Sequence, residues 1–115
     1  MKHENLVTAL VKPGAQIKAE LTDGDCNLLH MTIGVSGEAG ELLDAVKKAV
    51  IYRKPIDREN IVEELGDIEF FLEGIRQELK ITREECLEGN INKLRARYDK
   101  LTYSNEAAQT RNDKQ

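Results

Sequence analysis

Apolar residues along this chain recur in steps of three and four. From about residue 24 to 52, Leu28, Met31, Val35, Ala39, Leu42, Val46 and Ala49 keep that spacing. It is the signature of an amphipathic helix with one buried stripe. Pro55 stops the run, because the residue before a proline is driven out of helical backbone. Asp57 then offers an N-cap for a second helix over about 58–79, where Ile61, Leu65, Ile68, Leu72, Ile75 and Leu79 carry the stripe. A third stripe, Leu87, Ile91, Leu94, Tyr98 and Leu101, follows Thr82 and Glu85, which have the spacing of a capping box. Before these, residues 3–21 hold two short apolar clusters divided by Pro13-Gly14. They read as two short helical pieces, after which Thr22 or Asp23 caps the first long helix.

No strand alternation appears, so the pattern predicts an all-α fold: a helical bundle of three main helices plus an N-terminal helical element. A single domain over 1–103 is expected, followed by a polar, disordered tail at 104–115, SNEAAQTRNDKQ, that is too polar to pack. Apolar faces of this length are hard to cover within 115 residues. Completion of the bundle by oligomerisation, as a homodimer or homotetramer, is therefore expected.

Charge and composition narrow the function classes. A net charge of −4 argues against a nucleic-acid polymer as partner. Two separated cysteines without a CxxC pattern fit a reduced, cytoplasmic protein. The N-terminus lacks a signal-peptide apolar run, and no stretch approaches the length of a membrane span.

The candidate chemistry lies in two carboxylate pairs. Glu38 and Glu41 are three apart on the first long helix, within GVSGEAGELL, and Glu64 and Asp67 are three apart on the second, within EELGD. Both pairs are expected to flank the core stripes, and antiparallel packing of the helices would gather four acids. Like charges about 4 Å apart repel by about 4 kcal/mol at an effective dielectric of 20. Such a group calls for a counter-cation, and oxygen ligands alone favour Mg²⁺, with Mn²⁺ as a substitute, over zinc. In a chain with 21 acidic residues, one such pair alone is ordinarily a solvated helix face. Two pairs on neighbouring helices, each beside a glycine (Gly40, Gly66), favour the site. Gly37 and Gly40 would leave room for a metal-bound ligand or a neighbouring helix, and Gly34 would serve packing. Oxygen-held Mg²⁺ suits phosphate esters.

Further candidates are polar residues on the same helices. Asn90, Lys93, Arg97 and Lys100 form a stripe that can meet phosphate, although basic residues near a helix C-terminus also simply complement its dipole. Asn27 and His30 lie on the Glu38/Glu41 side of the first long helix, where His30 either lines a base or sugar pocket or is an ordinary surface residue. Phe70 and Phe71 read as core or dimer contacts.

Three blocks together, NLLHMTIGVSGEAGELLDAVKKA, ENIVEELGDIEFFLEGI and EGNINKLRARY, resemble the MazG-like nucleoside triphosphate pyrophosphohydrolases over roughly residues 26–98. The resemblance implies an all-α fold in which Glu38, Glu41, Glu64 and Asp67 bind Mg²⁺ that holds a triphosphate. Water would attack the α-phosphorus and release a nucleoside monophosphate and pyrophosphate, with Glu38 or Glu41 orienting or deprotonating that water and Glu38 preferred. Asn90, Lys93, Arg97 and Tyr98 match the third block, which supports phosphate or sugar binding. The resemblance further implies dimers or tetramers and the removal of non-standard nucleotides or the adjustment of nucleotide pools. The chain departs from the pattern in having no tryptophan, so no residue is assigned to base stacking. Two alternatives remain open: a catalytically inactive nucleotide-binding or regulatory dimer, and a structural bundle whose acids are surface charge.

Overall fold

Capping side chains set where the helices begin. In the computed structural model, which describes residues 1–101 and 103–110, the order is α1 (His3–Leu10), α2 (Gly14–Glu20), α3 (Asp23–Ile51), α4 (Arg58–Leu79), α5 (Arg83–Arg97) and α6 (Asn105–Thr110). Thr22 caps α3 and exchanges bonds with Asp25, Asp57 accepts from the Asn60 amide, and Thr82 and Glu85 close a capping box on α5. These satisfy amides that the first turn of a helix leaves without partners.

Left-handed residues end α3 and α4. Lys80 has φ 56° and lets the Ile81 amide donate to the Arg76 carbonyl at 2.9 Å, while its own amide donates to Gln77 at 3.2 Å. Arg53, also at φ 56°, allows the Lys54 amide to reach the Ala49 carbonyl at 3.0 Å. Both turns thereby use carbonyls that a helix end leaves orphaned.

α3 and α4 form an antiparallel hairpin, and theirs is the extended helix–helix contact of the structure. Two reciprocal fits hold it. The Phe71 ring on α4 lies where a Cβ of Gly34 would be, and the Met31 side chain on α3 fills the same place at Gly74. At one end, Asn27 Nδ2 donates to Glu78 Oε2 at 3.4 Å. Ala49, 8% exposed, is the only buried residue among those described, and no side chain is fully enclosed.

α1, α2 and α5 make no extended contact with this hairpin. The radius of gyration is 19.9 Å, whereas a compact chain of this length has about 13 Å. The accessible surface is 9669 Å², against about 6,300 Å² for a folded monomer of this mass. Leu87, Ile91 and Leu94 on α5 are consequently exposed, although their spacing is that of a core stripe.

The structure adds two details at the C-terminal end. α5 ends at Arg97, so Tyr98 and Leu101, which continue the third stripe, lie beyond the helix, with Leu101 at φ 55°. Where the sequence reads as a polar tail, residues 105–110 form α6, capped by Ser104 Oγ accepting from the Ala107 amide. Thr102 and residues 111–115 lie outside the described residues. Among the described residues no helix is long and apolar enough to cross a membrane.

Candidate metal centre

The same register that seats Phe71 on Gly34 sets Glu38 opposite Asp67. Glu38, Glu64 and Asp67 each offer a carboxylate oxygen, and these atoms lie within 4.8 Å of one another. All three residues are half-buried, so Glu38 faces the α3–α4 seam instead of flanking it as the stripe suggested. Its place in the seam follows from the glycines: Gly34 draws α4 toward the side of α3 that Glu38 shares.

Glu64 is the most constrained member. Its Oε2 is buried and has no hydrogen-bond partner. Burial, contact with the Glu38 carboxyl, and the charges of Glu38, Glu41 and Asp67 all hold the Glu64 carboxyl above the ordinary range. Glu41 is exposed at the rim, outside the three-carboxylate group but near enough for its charge to act on Glu64.

The ion pairs among the described residues, Lys12–Glu20, Lys48–Asp44 and Arg76 with Glu69 and Glu73, leave these four carboxylates out. A half-buried cluster of acids with an orphaned oxygen fits a cation. A donor set made only of carboxylate oxygens fits a hard divalent ion such as Mg²⁺ or Mn²⁺. Nothing lies within 4 Å of where a Cβ would stand on Gly37 or Gly66, so the space beside the acids is open; Gly40 is equally open but lies on the far side of α3 from Glu38.

The other sequence candidates are spread more widely. Asn27 and His30 share α3 with the acids, but precede Glu38 by about 16 and 12 Å along the helix axis at 1.5 Å per residue. Asn27 is engaged with Glu78, and the His30 ring stands edge-on to Phe71 at 6.4 Å. Asn90 and Lys93 are exposed on α5, which shares no extended contact with α3 or α4. Arg97 and Tyr98 are half-buried at the end of α5, where Tyr98 packs on Tyr103 at 5.8 Å between centroids. One chain therefore brings together Glu38, Glu64 and Asp67, with Glu41 at the rim, and does not bring the α5 residues to them.

Two residues that shape the site went unread in the sequence, Gly74 and Met31's role against it. The available signal was a glycine beside the core positions Leu72 and Ile75, with no turn to explain it.

A family profile for the MazG nucleotide pyrophosphohydrolase domain matches residues 27–102. The chain belongs to the MazG nucleotide pyrophosphohydrolase family. It is also 31% identical over 85 residues to the "Gene 37 protein" of Mycobacterium phage L5, covering 67% of this chain and 75% of the phage protein. No solved structure matches it significantly. The MazG segment contains all four acids and the whole of α4 and α5, whereas α1 and α2 precede it.

Proposed function

We propose that this MazG-family chain hydrolyses nucleoside or deoxynucleoside triphosphates to the monophosphate and pyrophosphate. The observation that carries this reading is the meeting of Glu38, Glu64 and Asp67 around the unpartnered Oε2 of Glu64, inside the MazG-matched segment.

Glu38, Glu64 and Asp67, with Glu41 at the rim, would hold Mg²⁺, for which Mn²⁺ can substitute. Bound there, the cation supplies charge neutralisation for the triphosphate and polarises a phosphoryl oxygen. In the reaction a water oxygen bonds to the α-phosphorus, the bond from that phosphorus to the bridging oxygen breaks, and pyrophosphate leaves with the bond's electrons. The proton released by the water passes to a carboxylate. Glu38, within the cluster, or Glu41, at its rim, would accept it. Holding Glu64 above the ordinary carboxylate range also limits negative charge at the site before a cation enters.

Asn90, Lys93, Arg97 and Tyr98 supply phosphate and sugar contacts, and Asn27 and His30 extend the pocket along α3. Because α5 is separate from the acids within one chain, this role requires self-association, as a homodimer or homotetramer. A cytoplasmic enzyme of this kind would clear non-standard nucleotides or adjust nucleotide pools.

The test is to incubate the full chain with a panel of ribo- and deoxyribonucleoside triphosphates and Mg²⁺, and to assay pyrophosphate. Pyrophosphate released with one monophosphate per triphosphate consumed is expected. Release of single phosphate, or none from any nucleotide, overturns the proposal; metal-dependent nucleotide binding without turnover would favour an inactive regulatory protein instead.

A further inference from the structure

α1 and α2 are eight and seven residues long, and neither is capped by a side chain at its N-terminus. Isolated helices shorter than about 12–15 residues are marginal in water. An ordered pair of this length needs a packed face, and its own chain does not supply one, since neither helix shares an extended contact with α3, α4 or α5. Leu6, Val7 and Leu10 lie on one arc of α1 and, with His3 and the capping residue Val11, line a shallow apolar hollow of about 390 Å³ that is open to water. Leu10 is 73% exposed and Val11 61%.

An exposed contact ties the connection between the two helices to the end of α2. Lys12 pairs with Glu20 across the Pro13–Gly14 break, and Gln16 Nε2 donates to the same carboxylate at 3.0 Å. These interactions hold the Glu20 carboxyl below its ordinary range. Leu21 and Thr22, both extended, then lead α2 away from the start of α3, where the bonds between Thr22 and Asp25 fix the exit.

A matching uncovered surface exists on α3. Leu29, Ile33, Leu43 and Ile51 are exposed on the side away from α4, with Ile33 at 61% and Leu43 at 68%. At 100° per residue these four fall within an arc of about 80°. Gly40 lies in the middle of that arc with nothing within 4 Å of its missing Cβ, so another helix can approach closely. The surface of each chain exceeds that of a folded monomer of its mass by about 3,300 Å², so two copies together expose about 6,600 Å² more than two folded monomers, at or beyond the roughly 2,000–5,000 Å² that large obligate dimers bury in total. A second copy therefore accounts for much of the missing cover.

We propose that residues 3–21 form an arm whose Leu6/Val7/Leu10/Val11 face docks on the outer Leu29/Ile33/Leu43 face of α3 in a second copy of the chain. The arm lies before the MazG-matched segment, so it adds a contact outside the domain that holds the acids. The proposal rests on the self-association put forward above and is independent of the hydrolytic reading.

Sedimentation of the full chain and of a Leu6→Asp/Leu10→Asp variant tests it, with far-UV circular dichroism as a check that α3 and α4 remain helical. The variant should associate about tenfold more weakly or worse. An unchanged dissociation constant overturns the arm, and a monomeric wild type at micromolar concentration overturns the arm and the self-association together. A second measurement avoids the charged substitutions. A spin label is attached at Val7→Cys in a Cys26→Ser/Cys86→Ser background, and the labelled chain is mixed with untagged, ¹⁵N-labelled chain. Broadening of the Leu29, Ile33 and Leu43 amides in the untagged copy is expected. Broadening confined to the tagged chain, or none, overturns the proposal.

Discussion

The ring of Phe71 rests on the backbone of α3 at Gly34, in space that a single methyl group there would occupy. Across the same seam, Met31 occupies the corresponding space at Gly74. These two fits set how closely α3 and α4 approach, and through the helical register they set the distance between Glu38 and the acids of α4.

The two glycines should respond differently to alanine. Phe71 has a rigid ring flanked by both helices, so Gly34→Ala forces a backbone shift costing about 1–3 kcal/mol, only partly offset by the gain of about 1 kcal/mol in helix propensity. Met31 is flexible and can turn its sulfur aside, so Gly74→Ala should be close to neutral. Urea midpoints at one fixed protein concentration check this. Equal losses at both positions would mean the ring is not what requires glycine at 34.

Gly37 meets nothing, so as a helix-interior residue it should gain about 1 kcal/mol on replacement by alanine. A larger side chain tests its relation to the site. Gly37→Leu should weaken Mg²⁺-dependent nucleotide hydrolysis while leaving helix content intact; unchanged turnover would mean that the open space beside Glu38 is not used.

Stability of the metal-free protein should depend on Glu64. Its folded-state pKa is raised, first by burial and then by Glu38, Glu41 and Asp67. Between the ordinary carboxylate pKa and the raised one, the native state holds a proton that the unfolded state has released. Stability therefore falls as pH rises through that window and stays lower above it. Glu64→Gln should remove that fall and raise the melting temperature without metal at neutral pH. A melting temperature lower than wild type at neutral pH would contradict this account.

Divalent metal should reverse the effect of the cluster. A ligand that binds only the folded state adds about 2.7 kcal/mol at one hundred times its Kd, so millimolar Mg²⁺ or Mn²⁺ should raise the wild-type melting temperature by several degrees. Asp67→Asn and Glu64→Gln should lose most of that rise and reduce turnover by about a hundredfold or more, the range seen when groups stabilising transition-state charge are removed. Glu38→Gln and Glu41→Gln separate binding from proton transfer. The one that keeps the metal response but loses turnover identifies the acceptor of the water's proton.

Lys80 holds a left-handed conformation that side chains with a Cβ adopt at a cost of about 1–2 kcal/mol. Lys80→Gly should stabilise the chain by up to about 1 kcal/mol, because the added freedom of glycine in the unfolded state cancels part of the relief. Loss of the Thr82 cap should act oppositely, with Thr82→Ala costing about 0.5–2 kcal/mol. Chemical denaturation of both variants reads these signs directly.

Sequence alone determined α3, α4 and the start of α5, but not the end of α5 at Arg97 or the presence of α6. The three-and-four spacing, Pro55 and the caps at Thr22, Asp57 and Thr82 are local features, and each acts within a few residues of the backbone groups it satisfies. The two carboxylate pairs were legible for the same reason, since three residues apart on a helix means one face. Only the tertiary structure decided which acids meet. Glu38 joins Glu64 and Asp67 while Glu41 stays at the rim, because Gly34 and Gly74 rotate the contact between α3 and α4 toward Glu38. The fate of α5 was likewise hidden: its apolar stripe reads as core, yet within one chain it remains uncovered. Periodicity reports that a face is apolar, and cannot say which surface, or which copy of the chain, covers it.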